Sequence, residues 1–501
     1  MKVVRAEEMQ EIDRITIDEM GIPGEVLMGF AGKSIADYVL RSFDGKDNIV
    51  VFSGTGNNGG DGFVIAYFLV NSGIDVTIVL AGKTDKVSET SRIYMELCGK
   101  CGIKIRELTG DTLKGLNIDS FDVAVDAIFG TGFKGSVKGI AGDLIKEINN
   151  SITIVVSVDM PSGLPSNGEA PEGEVVNADF TVTIGLPKIS LVTYPGKKYA
   201  GEVLISDIGF PVSLTSSEDL KIDLVDDAYF NRGFTDEPDP DTHKGERGHL
   251  LLVGGFDGME GAIMLSARAA LETGVGLISL LTTGNARNII AGKIPELITA
   301  GLDDVDDFLS SRKYDSAVIG PGMGRDKSAK DVFENIIGKL AGAGIKNALI
   351  DGDGLFHLAG FLKENKLPRD VKFIITPHFK EASVILDKKM EDIKNDRLKA
   401  CRELAGYVDS IAVLKGPGTI ISGGGKTLIN TTGNPYLATA GSGDVLSGII
   451  GSLMLRDYSV LDMAGLGVFI HGRAADLFVK ENEGKAMRAS DIINYIGRTL
   501  D

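Results

Sequence analysis

A glycine-rich turn in the C-terminal half of the chain places a carboxylate where a bound phosphate could react. Residues 430–449 read NTTGNPYLATAGSGDVLSGI, and Gly441-Ser442-Gly443-Asp444 lies at their centre. Glycines let the backbone approach a ligand closely, and the unpaired amides of a helix start favour an anion. Asp444 would repel that anion, so it is better explained as a general base beside the reacting oxygen. Helix capping by Asp444 is the alternative interpretation, which the rest of the sequence disfavours.

Three polar, glycine-rich loops in the N-terminal half each follow an apolar strand. They span residues 53–62, 129–136 and 159–163. In a parallel sheet, ligands bind beyond the carboxyl ends of the strands. The first loop contains Asn57-Asn58-Gly59-Gly60-Asp61-Gly62, which suits a phosphate but lacks the Walker A lysine and the dinucleotide-binding spacing. Together the three loops predict one binding site.

Strands and helices alternate along both halves, which is typical of parallel sheets covered on both faces. We therefore predict the α/β fold class, with a Rossmann-like three-layer N-terminal domain. The predicted N-terminal helices span residues 9–28 with a break at 21–24, 26–43, 63–71, 87–98 and 142–149. The predicted strands span residues 48–52, 76–80, 123–128, 152–158, 180–184, 203–208, 249–253, 277–281, 316–319, 348–350, 373–375 and 411–414, followed by a hairpin at 419–429. A long helix is predicted over residues 464–478.

Periodicity fades between Pro211 and Arg247, where Thr235–Asp241 is acidic and rich in proline. Such a composition is typical of a linker. We predict an N-terminal domain at residues 1–215, a linker at 216–242 and a C-terminal domain at 243–501.

The charge balance excludes several classes of partner. The 501 residues include 52 basic and 70 acidic ones, for a net charge of −18, which argues against nucleic acid or an anionic membrane as partner. The charged, amphipathic start is no signal peptide, and the apolar runs are too short to span a bilayer, so we expect a cytoplasmic enzyme. Cys98 and Cys101 lack the second pair that a zinc site needs, and we expect free thiols.

Four ordered motifs in the N-terminal half resemble the YjeF N-terminal family, the NAD(P)H-hydrate epimerases. They are N-N-G-G-D-G at 57–62, D-A-I-F-G-T-G at 126–132, V-D-x-P-S-G at 158–163 and G-x-P-K at 185–188. The resemblance implies that this half interconverts the R and S epimers of NADHX and NADPHX, nicotinamide cofactors hydrated on the ring.

The resemblance also implies the roles of individual N-terminal residues. Potassium would be coordinated by oxygen atoms of Asn58, Asp126 and Ser162, a ligand set suited to a hard cation. Asp159 and Lys188 are the acid–base candidates, although Lys188 could also be an ordinary surface lysine. Contacts to the substrate would come from Asn57, Asn58, Gly59, Gly60, Asp61, Gly130, Thr131, Gly132, Phe133, Lys134, Gly135, Ser136 and Asp159.

The C-terminal half resembles the ADP/ATP-dependent NAD(P)H-hydrate dehydratases, which have a ribokinase-like fold. The matches are H-K-G-x-x-G at 243–248, G-A-x-x-L-S-A-R-A-A-L at 261–271, G-P-G-M-G at 320–324, T-P-H at 376–378, K-G-P-G-T at 415–419 and T-G-N-P-x-L-A-T-A-G-S-G-D-V-L-S-G at 432–448. The order of the two halves matches that of bacterial and archaeal fusion proteins. The resemblance favours ADP over ATP, and it suggests a homo-oligomer.

In that family the terminal phosphoryl group of the nucleotide, bound with Mg²⁺, passes to the ring hydroxyl of the S hydrate, and phosphate then leaves. Asp444 would remove the hydroxyl proton. Contacts to the hydrate would come from Ala262, Gly322, His378 and Asp444. Contacts to the nucleotide would come from Lys415, Gly416, Pro417, Gly418, Thr419, Gly441, Ser442 and Gly443.

Three motifs depart from the family patterns. Gly29 replaces a polar residue, Phe356 replaces an amide, and Phe379-Lys380 replace Pro-Gly. We expect Phe379 and Lys380 to reshape the pocket wall, and we expect activity to survive because Asp444 and its turn are intact.

Two other functions fit parts of the sequence. A ribokinase-superfamily small-molecule kinase would use the same turn and Asp444, but would leave the three N-terminal loops unexplained. A nucleotide-binding regulator without catalysis is the third hypothesis, in which Asp444 serves binding alone.

Overall fold

The computed structural model describes residues 1–234, 241, 243 and 245–500, which form two compact units. One unit comprises Lys2–Lys221, and the other comprises Met1 and the chain from Ile222 onward. Within the range that we predicted as a linker, residues 222–225 form a strand and residues 227–233 a helix of the second unit. Apart from Asp241, the acidic stretch Thr235–Asp241 lies outside the described residues.

The N-terminal unit contains a seven-stranded parallel sheet between helices. The seven strands of this sheet are β2 (Asn48–Ser53), β3 (Asp75–Leu80), β4 (Lys104–Glu107), β5 (Val123–Ala127), β6 (Ile154–Val158), β7 (Phe180–Ile184) and β8 (Glu202–Ser206), and the short strand β1 (Lys2–Val3) is not part of it. Its helices are α1 (Ala6–Arg14), α2 (Gly24–Ser42), α3 (Asn57–Asn71), α4 (Glu89–Lys100), α5 (Gly110–Lys114), α6 (Gly139–Asn150), α7 (Ile189–Val192), α8 (Lys197–Ala200) and α9 (Val212–Thr215). The strand order in the sheet is β4-β3-β2-β5-β6-β7-β8, and each neighbouring pair is parallel.

The centre of this sheet is apolar because both of its faces are covered. β5 is buried along its whole length, and β2 from its second residue onward. Two buried clusters, one on each side, contain alternate residues of the same strands, such as Val51 in one and Val50 in the other. The predicted Rossmann-like three-layer architecture is therefore confirmed.

Two predicted N-terminal elements differ from the structure. The predicted helix over residues 9–28 is instead α1, a π-helical turn at Ile15–Glu19, and then α2. Residues 57–62, predicted as a loop, already belong to α3. The cause is close packing: a Cβ atom at Gly59 would lie 1.9 Å from the Gly54 carbonyl oxygen, so only glycine lets the helix begin against the strand end.

The C-terminal unit contains a second, larger sheet. Its strands are β9 (Ile222–Val225), β10 (His249–Val253), β11 (Leu277–Thr282), β12 (Leu297–Gly301), β13 (Ser316–Ile319), β14 (Asn347–Ile350), β15 (Lys372–Ile375), β16 (Ile411–Leu414), β17 (Ile420–Gly423) and β18 (Lys426–Asn430). Its helices are α10 (Asp227–Gly233), α11 (Glu260–Glu272), α12 (Gly284–Ala291), α13 (Val305–Ser310), α14 (Lys327–Lys339), α15 (Asp353–Phe361), α16 (Phe379–Leu386), α17 (Met390–Asn395), α18 (Arg397–Tyr407), α19 (Ser442–Leu453), α20 (Val460–Glu481) and α21 (Ala489–Ile496).

These strands are ordered β9-β18-β17-β16-β15-β14-β13-β10-β11-β12. All neighbouring pairs are parallel except the two that involve β17, which is antiparallel to β16 and β18. The predicted hairpin is confirmed, and it turns through Gly424 and Gly425 at positive φ. Sequence reasoning missed the strands β1, β4, β9 and β12. The last three all lie at or next to an edge of their sheet, where a half-exposed pattern is harder to recognise.

Other global predictions can be compared with the described residues. Cys98, Cys101 and Cys401 are free, as expected for the first two. None of the helices that the structure describes combines the length and apolar character needed to cross a membrane.

The glycine after the predicted catalytic turn holds α19 against α11. A Cβ atom at Gly448 would lie 2.1 Å from the carbonyl oxygen of Ser266, which is a backbone atom that cannot move aside. We predict that Gly448→Ala lowers the free energy of unfolding of this unit by roughly 1–3 kcal/mol, the usual effect of overpacking. The matched control is Gly338→Ala in α14, where no atom lies within 4 Å of the added carbon. Denaturant unfolding should show that control to be neutral or stabilised, and equal effects of the two changes would contradict the packing argument.

Candidate active sites

A cavity of about 650 Å³ opens where the predicted N-terminal loops converge. It lies at the carboxyl ends of the strands, and helices α1 and α2 form another part of its wall. The predicted residues that line it are Asn57, Asn58, Asp61, Gly130, Thr131, Gly132, Phe133, Lys134, Asp159 and Lys188. One cavity therefore brings residues of all three loops together. Gly59, Gly60, Gly135 and Ser136 are not among its lining residues.

Lys188 and Asp159 form a buried ion pair in the wall of this cavity. Lys188 is 1% exposed, and its Nζ donates hydrogen bonds to Asp159 Oδ1 at 2.5 Å, Ile184 O at 2.8 Å and Thr183 Oγ1 at 3.1 Å. The interpretation of Lys188 as an ordinary surface lysine is therefore wrong. Asp159 adopts a left-handed backbone conformation, with φ at +65°, which is strained for a residue other than glycine and recurs at functional sites.

Two further carboxyl groups, at Asp13 and Asp61, face the same cavity. Burial raises the pKa of Asp61 well above its ordinary value, and the nearby Asp159 and Asp13 add to this rise. Burial also raises the pKa of Asp13 to about 6. Sequence reasoning named Asp61 but missed Asp13. The sequence does contain a sign of Asp13, because Met9, Asp13 and Ile17 are spaced by four residues. This spacing places the Asp13 carboxylate on the apolar face of the predicted helix.

Two of the three predicted potassium ligands, Asp126 and Ser162, are hydrogen-bonded to each other, and the third, Asn58, lines the cavity. Asp126 is fully buried and accepts hydrogen bonds from Ser162 Oγ at 2.5 Å, Ser162 N at 2.8 Å and Ser157 Oγ at 2.8 Å. Burial raises the pKa of Asp126. The side-chain nitrogen of Asn58 is buried without a hydrogen-bond partner among the described residues. The buried Asp126 carboxylate and the Ser162 hydroxyl are oxygen donors that fit a monovalent cation, whereas the unpaired Asn58 nitrogen is a hydrogen-bond donor and does not itself favour a cation.

In the C-terminal unit, Asp444 lies in the first turn of α19, as the sequence predicts. Gly441 caps this helix at φ +86°, and a Cβ atom at Gly443 would lie only 3.3 Å from Lys415 Nζ. Lys415 donates to Asp351 Oδ1 at 2.8 Å, and Ser447 donates to Asp351 Oδ2 at 2.7 Å. A lysine ammonium and the free amides of a helix start therefore lie together, which is a suitable environment for a phosphate.

The charges around this turn set the protonation of Asp444. Burial, and after it the charge of the Asp351 carboxylate, raise the pKa of Asp444 to about 7 against the opposing charge of Lys415. Burial opposes the charge of Lys415, but Asp351 and Glu381 outweigh it and raise its pKa. A carboxyl group that titrates near neutral pH is suited to general base catalysis.

The loop predicted to hold the nucleotide is fixed by a residue that sequence reasoning missed. Arg397 is buried and donates to Pro417 O at 2.5 Å and to Gly418 O at 3.0 Å. Thr419 Oγ1 closes the loop by donating to Gly416 O at 3.0 Å. Arg397 lies in α18, outside the motif at residues 415–419, and the sequence around it gives no sign that it binds the loop.

The remaining predicted substrate contacts are placed as follows. His378 caps α16, where its Nδ1 accepts from Glu381 N at 3.2 Å, and about half of its side chain is exposed. Gly322 and Ala262 are neighbours, since a Cβ atom at Gly322 would lie 3.1 Å from that of Ala262. Lys244 of the motif at 243–248 lies outside the described residues.

The structure shows what surrounds the three departures from the family patterns. A Cβ atom at Gly29 would lie 2.7 Å from the hydroxyl oxygen of Tyr94, so that hydroxyl fills the space of the missing side chain. Phe379 packs over the nucleotide loop, with its ring 2.8 Å from a Cβ atom built at Gly416. Phe356 is 48% exposed.

The raised pKa of Asp444 also predicts a pH-dependent stability. The folded state holds the Asp444 proton up to about pH 7, whereas an unfolded Asp loses it near pH 4, so ionisation of Asp444 disfavours the folded state progressively between these values. Asp444→Asn removes this effect. We predict that the Tm of the variant relative to the native protein rises from pH 5 to pH 7 and then stays level. Thermal unfolding at a series of pH values measures this, and a difference that is constant with pH would show that Asp444 has an ordinary pKa.

Comparison with known proteins agrees with this arrangement over the whole chain. A family model described as YjeF-related protein N-terminus matches residues 24–190, and one described as NAD(P)H-hydrate dehydratase matches residues 250–498. A bifunctional NAD(P)H-hydrate repair enzyme from Moorella thermoacetica is 34% identical and covers 100% of this chain and 97% of its own length. The corresponding enzyme of Escherichia coli is 32% identical over 99% of this chain and 93% of its own length.

A solved structure supports the fold of the C-terminal unit. A ribokinase-like superfamily protein from Enterococcus faecalis is 23% identical, with a TM-score of 0.51, and the match covers 56% of this chain and 95% of that protein. The predicted ribokinase-like fold is thus confirmed. Identity above 30% along the full chain shows that the protein belongs to the family of bifunctional NAD(P)H-hydrate repair enzymes, with an N-terminal epimerase domain and a C-terminal dehydratase domain.

Proposed function

We propose that the N-terminal unit interconverts the R and S epimers of NADHX and NADPHX, and that the C-terminal unit dehydrates the S epimer with ADP or ATP to restore NADH or NADPH. The observation that carries this proposal is that each unit has its own acid–base group beside its own ligand site. These are Lys188 with Asp159 in the N-terminal cavity, and Asp444 beside the anion site of α19.

In the C-terminal unit the ring hydroxyl of the hydrate attacks the terminal phosphoryl group of the nucleotide. Asp444 accepts the hydroxyl proton as the new oxygen–phosphorus bond forms and the bond to the nucleotide breaks. Lys415 and the amides of Gly441–Gly443 stabilise the charge on the phosphoryl oxygens. The carbon–oxygen bond then breaks and phosphate leaves as the lone pair of the ring nitrogen forms a carbon–nitrogen double bond. Release of a neighbouring ring proton to solvent forms the carbon–carbon double bond and returns the electron pair to nitrogen. Lys415 thus acts at the phosphoryl group rather than in the nucleotide loop alone.

Mg²⁺ would enter this site with the nucleotide. Among the described residues no group of three His, Cys, Asp or Glu side chains is arranged to hold a metal ion. This fits an ion carried mainly by substrate phosphates, which needs only one or two protein carboxylates. Asp351, Glu381 and Asp444, whose charges all act on Lys415, are the carboxylates from which such a ligand would come, and the ion would neutralise phosphate charge.

In the N-terminal unit, Asp159 and Lys188 exchange protons with the hydroxyl of the hydrate, and the residues lining the cavity hold the substrate. Potassium held by Asn58, Asp126 and Ser162 would neutralise the buried carboxylate and fix the start of α3, which carries Asn58, relative to the loop that carries Gly130. Gly130 lies close to the Asn58 side chain, since a Cβ atom at Gly130 would lie 2.9 Å from Asn58 Oδ1. A residue with a side chain would crowd Asn58 at this position. ADP as the preferred nucleotide, the homo-oligomeric state and the cytoplasmic location stay predictions.

Separate substitutions should separate the two activities. We predict that Asp444→Asn lowers kcat for dehydration of the S epimer by about 10²- to 10⁴-fold, because the general base is lost, and leaves epimerisation unchanged. Asp159→Ala should abolish epimerisation and leave dehydration of the S epimer intact. Recovered NADH measures dehydration, and chromatography of the two epimers without nucleotide measures epimerisation. Each variant is therefore the control for the other, and loss of both activities in both variants would show that the assignment to separate units is wrong.

The same experiment tests the two other hypotheses. A small-molecule kinase would return no NADH from either epimer with ADP or ATP, yet would phosphorylate a small alcohol in an Asp444-dependent way. A nucleotide-binding regulator would bind nucleotide with Asn at position 444 and would turn over neither epimer in the native form.

Potassium binding can be measured without activity. We predict that KCl raises the Tm of the native protein above that in LiCl at equal ionic strength, because the larger ion satisfies the oxygen ligands around Asp126. Asn58→Ala should abolish this difference. Asn57→Ala is the matched control, since the Asn57 side chain is exposed and is not among the predicted ligands. An undiminished potassium effect in the Asn58 variant would place the ion elsewhere.

A further inference from the structure

Helix α1 brings a carboxyl group into the N-terminal cavity that neither the motifs nor the mechanism above has used. Met9, Asp13 and Ile17 line the cavity at successive turns, and Asp13 is the titratable member of this face. Among the described residues its carboxyl group takes part in no hydrogen bond or ion pair. A half-buried carboxyl group without a partner is unfavourable unless it has a function in the site.

The position of α1 is fixed relative to the loop that carries Lys188. Val4 forms a parallel bridge with Lys188, in which Val4 N donates to Pro187 O at 3.0 Å and Ile189 N donates to Val4 O at 3.3 Å. At the helix start, Ala6 N donates to the side-chain oxygen of Asn167 at 2.8 Å. The chain before α1 is therefore joined to the Lys188 loop, and Asp13 follows on the same helix.

A π-helical turn begins two residues after Asp13, at Ile15–Glu19. Such turns are rare, and they occur frequently at functional sites because the extra residue redirects side chains. Here Thr16 is buried and donates to Ile12 O at 2.7 Å, while Ile17 reaches the cavity wall. The local geometry holds the face of α1 that bears Asp13 toward the cavity.

The charged groups that face Asp13 come from several elements. Lys188 lowers its pKa, while burial and Asp159 raise it, with a result of about 6. Asp61 on α3 is 7% exposed, and its carboxyl group also has no hydrogen-bond partner among the described residues. Lys134 is the other lysine of the lining. The cavity therefore holds carboxyl groups on its helical wall and an ammonium–carboxylate pair at the strand ends.

From this arrangement we propose that Asp13 is a second proton-transfer residue of the N-terminal site, which acts on water from the helical wall while Lys188 and Asp159 act from the strand ends. The inference rests on the proposed epimerase function. A change of epimer at a hydroxyl-bearing carbon beside a ring nitrogen needs one group to protonate the departing hydroxyl and another to activate water on the opposite face. Two separate walls of one cavity can supply these two groups.

In this mechanism the hydroxyl group leaves with a proton from Lys188, and water then adds with the help of Asp13. The Lys188 ammonium gives a proton to the hydroxyl oxygen, the carbon–oxygen bond breaks, and the ring nitrogen lone pair forms a carbon–nitrogen double bond as water departs. Asp13 takes a proton from a second water, whose oxygen bonds to the same carbon from the other face, and the electron pair returns to the nitrogen. One proton has moved from Lys188 to Asp13, and exchange with solvent restores both groups. No oxidant or reductant is needed, and the hydroxyl oxygen comes from solvent.

This two-step mechanism predicts a specific pH dependence of epimerisation. The R-to-S and S-to-R reactions both need one proton in total on Lys188 and Asp13. Below about pH 6 Asp13 also becomes protonated in the free enzyme, so both reactions slow. Asp13→Asn should lower kcat for epimerisation by about 10²- to 10⁴-fold, change KM little, and remove this limb of the profile. Asp13→Glu should retain the limb and part of the rate.

The experiment follows both epimers by chromatography without nucleotide, in ¹⁸O-labelled water, between pH 5 and pH 8. The matched control is Asp18→Asn, an exposed carboxylate in the π-helical turn that does not line the cavity, and it should behave like the native protein. Dehydration of the S epimer by the same Asp13 variant confirms intact C-terminal function, and the native label uptake should accompany each epimer change.

Three results would overturn the role of Asp13. They are an Asp13→Asn rate within about threefold of native, a slow variant that keeps the limb near pH 6, and epimerisation of the native protein without label uptake. A native protein that does not epimerise at all would instead overturn the proposed function, and the role of Asp13 with it.

Discussion

A lysine ammonium buried against an aspartate, at the carboxyl end of a parallel sheet, is the interaction on which both sites depend. Lys188 binds Asp159 in one unit, and Lys415 binds Asp351 in the other. Burial alone would make both charges of each pair unfavourable, and each charge is stabilised by its partner. The loops that carry the two partners must therefore be ordered for the pair to persist. Removing one partner of such a pair typically destabilises a protein by about 3–5 kcal/mol, since the other charge is left buried. The two pairs therefore couple the order of each site to the integrity of its unit.

The two pairs are used differently. In the C-terminal unit the ammonium lies beside the start of α19, where helix amides add to its positive field and Asp444 stands next to it with a pKa raised to about 7 by burial. This arrangement suits an anion that carries a transferable group. In the N-terminal unit the ammonium shares a cavity with three carboxyl groups, which suits proton exchange with the ring hydroxyl of a hydrate.

Much of the fold was predictable because buried parallel strands are continuous apolar runs bounded by glycine. The start of α3 was not, because the run Asn57–Gly62 has the composition of a loop, and only its packing against Gly54 makes it helical. In the sites, residues carried by motifs were predictable. Asp13 and Arg397 lie on helices outside the motifs, and their roles arise from contacts with chain segments that are distant in sequence. The effect of Gly29 was also unpredictable, since the space beside it is filled by Tyr94, more than sixty residues later in the chain.

The measurement that tests the central claim most directly is the NADH recovered from a mixture of R and S NADHX, with ADP, magnesium and potassium present. If both units work in sequence, recovery is complete, because the epimerase supplies S epimer until the mixture is exhausted. Recovery that stalls once the S epimer is consumed would contradict the role of the N-terminal unit. No recovery with either ADP or ATP would contradict the account as a whole.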